Sequence, residues 1–214
     1  MESTPEFISS IKQSLARDLP GKAAQFEMAA VGRPEYHTMP RDDIRSAAVL
    51  IALYEKDANW HTIVMKRKSH PGDRHGGQIS FPGGKQEIGE VLSQTAVRES
   101  HEEVGTPLEG VQVIGQLTQL HIPISNFMVY PFVGYLDAPA MLSPQLSEVD
   151  QIFEIPVSSF LAGESRQKKD LRIPEGVLLR NVPYFDIADQ VIWGATAMIM
   201  SEFVAVVRSI SDQS

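Results

Sequence analysis

The chain has 214 residues, 43% of them hydrophobic and 21% charged, with a formal charge of −8 at neutral pH and no cysteine. That length suits one sizeable domain and is short for two. The missing cysteines exclude disulfides, thiolate metal ligands and cysteine nucleophiles, and the acidic balance argues against a nucleic-acid groove, which carries a basic excess.

The first residues, MESTPEFISS, lack a basic segment followed by an apolar core, and no apolar run approaches the roughly 20 residues that span a bilayer. The expectation is a cytoplasmic protein with no membrane or nucleic-acid partner. Phe7, Ile8, Ile11, Leu15 and Leu19 recur at three- and four-residue spacing, which predicts an amphipathic helix over 5–19, ended by Pro20-Gly21. Residues 22–43 read as an irregular crossing with room for one helical turn, and His37 as a surface residue. Residues 1–43 are thus expected to pack on a main domain of residues 44–210.

AAVLIALY at 47–54 is an apolar run of strand length, as in a strand buried on both faces. A turn at 57–59 and TIVMKRK at 62–68 predict a hairpin. SHPGDRHGG follows as a polar loop, then a short strand over 78–81. Beyond residue 106, strands are predicted over 111–121 and 127–136, with a break at 122–126 and Pro131 marking an edge or bulge. Glu148 enters a strand over 149–157, followed by a short helix at 158–161. The stretch 163–172, with Arg166, Lys168, Lys169 and Arg172, reads as a charged loop. Paired short strands at 177–185 and 190–193 and a closing helix over 194–210 complete the chain.

The densest chemistry lies between these halves, in GGKQEIGEVLSQTAVRESHEEVGT at 83–106. At about 100° per residue, Glu102 and Glu103 fall within roughly 60° of Glu99 on a helix. Ala96, Val97, Ser100 and Val104 form a neighbouring face that can pack on a sheet. Like charges so spaced destabilise a bare helix by a few tenths of a kcal/mol per pair, and the helix dipole favours cations at this end. Stability alone does not choose this arrangement. Hard oxygen ligands facing one point suit Mg²⁺ or Mn²⁺, whereas the plainer reading of an acidic run is a solvated face.

The surrounding residues narrow the choice. Gly84, Glu90, Arg98, Glu99, Glu102, Glu103 and Gly105 fit G-x5-E-x7-R-E-U-x-E-E-x-G-U, and the stretch resembles the Nudix box. It departs at both hydrophobic U positions, which are Ser100 and Thr106. The resemblance implies a Nudix-type α/β/α sandwich: a mixed sheet with the box helix on one side, the last helix on the other, and a loop-helix-loop metal site. It implies cleavage of a nucleoside diphosphate linked to another moiety. Carried over by position, Glu99, Glu102 and Glu103 hold Mg²⁺ or Mn²⁺ with the Gly83 carbonyl, Arg98 orients Glu99, and Glu90 braces the loop. Either a box glutamate or Glu148 serves as general base. Gly105 suits the left-handed residue that ends the helix.

Upstream, IVMKR…R…GQISFPGG resembles the signature of the coenzyme A pyrophosphatase branch through Arg67, Gly77 and Phe81-Pro82-Gly83-Gly84. Lys68 stands where that signature has Ser or Ala, and the loop is one residue longer, so Arg74 is an offset match. Ser125, Phe127 and PFVG at 131–134, then IWGATA at 192–197, continue the likeness. The implied substrate-binding residues are Arg67, Arg74, Gly77, Phe81, Ser125 and Phe127, with arginine forks suited to phosphate. The implied substrate is coenzyme A or a thioester, split into 3′,5′-adenosine bisphosphate and 4′-phosphopantetheine or its acyl form. Two alternatives stand beside it: the same chemistry on ADP-ribose or another nucleoside diphosphate derivative, and a non-catalytic nucleotide-binding Nudix domain. Such silent domains typically lose box carboxylates, which this chain keeps. Monomer and homodimer are both open.

Overall fold

The apolar run at 47–54 forms the middle of strand β1 (Arg45–Lys56) in a computed structural model that describes residues 5–30, 42–70, 76–138, 141–173 and 176–211. Its even-numbered residues Ala48, Leu50, Ala52 and Tyr54 enter one core and its odd-numbered residues Ala47, Ile51 and Leu53 another. Burial on both faces is why this strand shows no polar alternation. Asp57 and Ala58 turn the chain at φ 51° and 57°, the left-handed pair of a two-residue hairpin, into β2 (Asn59–Arg67).

An eight-stranded mixed sheet grows around this hairpin. β1 runs parallel to β7 (Phe127–Leu136) and antiparallel to both β2 and the short β4 (Gly83–Lys85). β2 takes β3 (Ile79–Ser80) on one side and β8 (Val149–Pro156) on the other. β5 (Val111–Gln116) and β6 (Leu120–Ile122) share the remaining side of β7.

Helix α3 (Leu92–Val104) covers the even face of β1 through Ala96 and Val104. Helices α1 (Glu6–Leu15) and α5 (Gly194–Ser211) cover the odd face, with Ile8, Ile11, Met198 and Phe203 buried there. A mixed sheet between the box helix and the last helix is the expected sandwich. A second sheet of β9 (Arg166–Arg172), β10 (Leu178–Ile187) and β11 (Gln190–Trp193) stands beside it, joined through the short helix α4 (Val157–Leu161).

Four expectations need correction. The first helix stops at Leu15, leaving Leu19 outside; the helical turn allowed for in the crossing is α2 (Gly21–Phe26) at its start. The break placed at 122–126 starts later, because β6 runs through Ile122. Pro131 sits in a central strand, not an edge. It falls where β5 gives way to β6, its carbonyl accepting the Leu117 N–H at 2.9 Å, so the absent N–H faces an irregular connection. Residues 166–172 form an edge strand and not a loop. Cationic stems take the place of apolar residues there: the Arg166 guanidinium lies 5.5 Å from the Phe185 ring and the Lys169 ammonium 4.6 Å from Tyr184. His37 and Arg74 lie outside the described residues.

Candidate active site

Two consecutive glycines bring β4 against both β1 and α3. A Cβ on Gly83 would fall 2.6 Å from the Val49 Cα, and one on Gly84 would fall 2.5 Å from the Glu99 carboxylate. Only glycines permit this approach, which seats the helix carboxylates directly on the strand. α3 then ends at Gly105 (φ 79°), whose N–H donates to the His101 carbonyl at 2.9 Å.

The helix sorts its three carboxylates. Glu103, on the sheet side of Glu99, is 3% exposed; it accepts the Gly83 N–H at 2.8 Å and faces Arg67 Nη1 at 3.6 Å. Glu102 lies on the opposite side of Glu99 and turns to solvent, where Arg98 Nη1 pairs with it at 2.9 Å. The expected convergence of three is therefore two, and among the described residues no three acidic or histidine side chains form a metal-holding group. The cause is angular: positions three and four residues beyond Glu99 diverge to either side of it.

Arg98 ties the box together. Its Nε donates to Glu90 Oε1 at 2.9 Å, Nη1 reaches Glu99 Oε1 at 2.9 Å, and Nη2 donates to Glu90 and to the Lys85 carbonyl at 3.2 and 3.3 Å. The Arg98 fork holds the Glu90 carboxyl down at about 2, helped by the Thr95 hydroxyl that donates to it at 2.7 Å. Glu90 thus braces the loop and stands outside the cleft.

The opposite shift marks the other two acids. Burial pushes the Glu103 carboxyl up to about 8, with Glu99 and Glu148 adding to it while Gly83 and Arg67 oppose. Burial also raises Glu99, against Arg98, with Glu102 and Glu148 adding further. Buried carboxylates that repel one another beside an open cleft are what a divalent cation relieves, so this donor set fits Mg²⁺ or Mn²⁺.

The cleft holds about 500 Å³, and its walls include Arg67, Phe81, Gly83, Lys85, Glu99, Glu103, Ser125, Phe127 and Glu148. Gly77 and Arg98 are not among the lining residues. Gly77 acts from behind: its N–H donates to the Arg67 carbonyl at 2.9 Å while the Arg67 N–H reaches Gln78 at 3.0 Å, clamping Arg67 in place. Lys68, the departure from the branch signature, has a definite task here. Its Nζ donates to the Leu146 carbonyl at 2.6 Å and its N–H to the Glu148 carbonyl at 2.7 Å. With Gln145 N–H donating to the Glu103 carbonyl at 2.9 Å, the loop carrying Glu148 is stitched to β2 and to α3 at once.

Sequence reasoning missed the far wall. Ile122, Pro123, Ile124, Ile173, Trp193, Thr196 and Ile199 also line the cleft. The IWGATA string at 192–197 was a signal, since a strand-to-helix corner with a small-residue start allows close approach, but nothing local says which cavity it faces. Thr196 Oγ1 donates to the Ile79 carbonyl at 2.9 Å, fixing α5 against β3 across 117 residues of sequence.

Comparison with known proteins agrees with this geometry. A NUDIX domain profile matches residues 44–172. An uncharacterized Nudix hydrolase NudL of Photorhabdus laumondii is 33% identical over 168 residues, covering 78% of this chain and 87% of that protein. The Pectobacterium atrosepticum protein of the same name is 34% identical, over 74% of this chain and 80% of that protein. Among solved structures, the Mycobacterium smegmatis (M. Smegmatis) Nudix hydrolase RenU has a TM-score of 0.51 at 17% identity, over 78% of this chain and 87% of that one. A C. elegans Ap4A hydrolase binary complex has 0.52 at 15% identity, over 78% and 99%, and supports the fold alone. The chain belongs to the Nudix family. It is a Nudix hydrolase for nucleoside diphosphate derivatives, a class that generally works with divalent cations such as Mg²⁺ or Mn²⁺.

Proposed function

We propose that this protein hydrolyses the diphosphate bond of coenzyme A or its thioesters, in the cytoplasm, with Mg²⁺ or Mn²⁺. The observation that carries the reading is Arg67. The first arginine of the branch signature stands in the cleft 3.6 Å from Glu103, clamped by Gly77, another residue that matches that signature. The hydrolase unit lies within residues 44–210, and the described N-terminal residues 5–30 pack on it.

Glu99 and Glu103 hold the cation with the Gly83 carbonyl as a further ligand, while Glu102, turned to solvent and paired with Arg98, stands apart from them. When bound, the cation neutralises the diphosphate and lowers the pKa of an attacking water. Arg67 presents its guanidinium to a phosphate oxygen beside the carboxylates, while Lys85 adds a second positive group on the same wall. Arg98 keeps Glu99 aimed at the cleft by occupying its outer oxygen. Glu148, on its stitched loop, accepts the proton from water and so leaves the box carboxylates anionic. Water is the nucleophile, and no covalent protein intermediate is required.

The test is mass-resolved product analysis of coenzyme A and ADP-ribose with Mn²⁺, beside Glu103→Gln. The expected result is adenosine bisphosphate from coenzyme A, reduced on the order of 10²-fold or more in the variant, since ligand loss removes several kcal/mol of charge stabilisation. Cleavage of ADP-ribose alone keeps the box and discards coenzyme A. Tight binding without turnover in either metal favours a silent nucleotide-binding domain.

A further inference from the structure

Glu148 reaches the cleft from the last residue of a loop, just before β8 begins, where no strand ladder fixes the backbone. Hydrogen bonds from two directions do so instead. The Ser143 N–H donates to the Val104 carbonyl at 3.0 Å and the Gln145 N–H to the Glu103 carbonyl at 2.9 Å, anchoring the first half of the loop to the end of α3. The second half is held from the end of β2. Three consecutive carbonyls each accept one donor there: Leu146 from Lys68 Nζ at 2.6 Å, Ser147 from His70 Nε2 at 3.0 Å, and Glu148 from the Lys68 N–H at 2.7 Å. These donors stand on a fixed base, because Arg67 is bonded to Gly77 and Gln78, and a Cβ on Gly76 would fall 2.9 Å from the Ser69 Cα. The register between β2 and β8 also slips at this point: Lys66 pairs with Gln151 but Arg67 with Val149. Such a bulge bends its strand and re-aims the side chains beside it.

We propose that Lys68 and His70 are positioning residues for Glu148, fixing the loop that aims its carboxylate at the attacking water. This rests on the reading of Glu148 as general base given above. Neither Lys68 nor His70 lines the cleft, so neither touches substrate, and their effect passes through the loop. The Lys68 ammonium gives a charge-assisted bond, the stronger kind. A Ser or Ala at position 68, as in the branch signature, would leave the Leu146 carbonyl to water. A general base has to come within about 3 Å of the proton it takes, and a misplacement of about 1 Å costs on the order of 10²-fold. Arg67 and the α3 carboxylates, which meet the diphosphate and the cation, keep their places without this clamp. Its loss therefore falls on kcat and not on KM.

The experiment measures kcat and KM with Mn²⁺, on whichever of coenzyme A and ADP-ribose is turned over. The variants are Lys68→Ala, Lys68→Arg, His70→Ala, Glu148→Gln and Lys68→Ala/Glu148→Gln. Lys68→Ala is expected to lower kcat about tenfold, with KM within about twofold, as a displacement of part of 1 Å requires. His70→Ala costs about threefold on the same scale, and Lys68→Arg, which keeps a charged donor, recovers most of the loss. In the Glu148→Gln background Lys68→Ala costs nothing further, the mark of action through one group. Amide hydrogen exchange supplies a second readout. The Glu148 and Val149 N–H groups donate to the Gln145 carbonyl at 2.9 and 2.8 Å, and both are expected to exchange faster in Lys68→Ala while α3 is unchanged. A Lys68→Ala enzyme with wild-type kcat, or one whose loss multiplies with that of Glu148→Gln, overturns the clamp and leaves Glu148 as the base. A Glu148→Gln enzyme with wild-type kcat, or a wild-type protein that turns over neither substrate, overturns the base reading and the clamp with it.

Discussion

Ser100 and Thr106 occupy the two positions where the box pattern asks for hydrophobic residues, and both are fully buried. They compensate for each other: Thr106 Oγ1 donates to Ser100 Oγ at 2.8 Å, while His101 Nδ1 donates to the Thr106 carbonyl at 2.7 Å. Thr106→Val alone strands a buried hydroxyl and is expected to cost about 1–2 kcal/mol, whereas adding Ser100→Ala recovers most of that. Urea titrations of the two singles and the double variant read out the cycle, and additive losses would contradict the pairing. Glu103 gives a pH signature at the same scale. Its carboxyl sits at about 8 in the fold, against about 4.3 in an unfolded chain. The folded state thus favours the protonated form, so this contribution is intact below about pH 4.3 and is lost as pH rises through about 8. In EDTA, stability is expected to decline between pH 5 and 8 with a limiting slope of about 1.4 kcal/mol per pH unit. Glu103→Gln removes that decline, and a flat wild-type profile would count against the burial argument.

At the scale of elements, legibility followed how local the cause was. β1 was readable because burial on both faces wrote an uninterrupted apolar run, and α3 because its packing face repeats at helical spacing. β9 was not, because Arg166 and Lys169 cover Phe185 and Tyr184 with side chains that look like surface charge. Thr95, fully buried, takes the inward place expected of Val97, which is only half-buried. The least legible residue was Glu202, a fully buried carboxylate in a mostly apolar helix. It accepts hydrogen bonds from the Gly21 N–H at 3.1 Å, Gln25 Nε2 at 2.8 Å, and the Thr118 N–H and hydroxyl at 3.2 and 2.6 Å. One side chain thus locks α2, the β5–β6 connection and α5 together from donors 84 to 181 residues away. Glu202→Gln turns one acceptor into a donor facing donors and is expected to cost about 2–4 kcal/mol. For a domain of this size that lowers Tm by roughly 5–15 °C. Activity per folded molecule stays near wild type, and an unchanged Tm in a calorimetric scan would refute the lock.

For the whole molecule, the site divides the same way. Its carboxylates and Arg67 were legible because they sit within one motif and one flanking strand, whereas the apolar wall joins β6, the β9–β10 turn and the β11–α5 corner. No local pattern reports such a meeting. The N-terminal region poses a related question, since its separation at residue 43 follows composition while its packing follows the core. Ile8 and Ile11 are 0% exposed in the same cluster as Ile51, Phe160 and Phe203, and a Cβ on Gly115 of β5 would fall 2.7 Å from Leu15. Phe7 stacks at 5.1 Å on Trp60, which in turn meets Tyr135 at 6.1 Å. Helix α1 is therefore a wall of the core and not an appendage. Each Ile→Ala there is expected to cost about 2–5 kcal/mol, and the pair together approaches the 5–15 kcal/mol that such a fold commands in total. Ile8→Ala/Ile11→Ala should then unfold most of the molecule at moderate temperature. In the wild-type protein, denaturant unfolding followed by circular dichroism and by tryptophan fluorescence should give one coincident transition. Two separated transitions, with the hydrolase unit outlasting the helix, would make α1 an independent element and leave the sandwich stable without it.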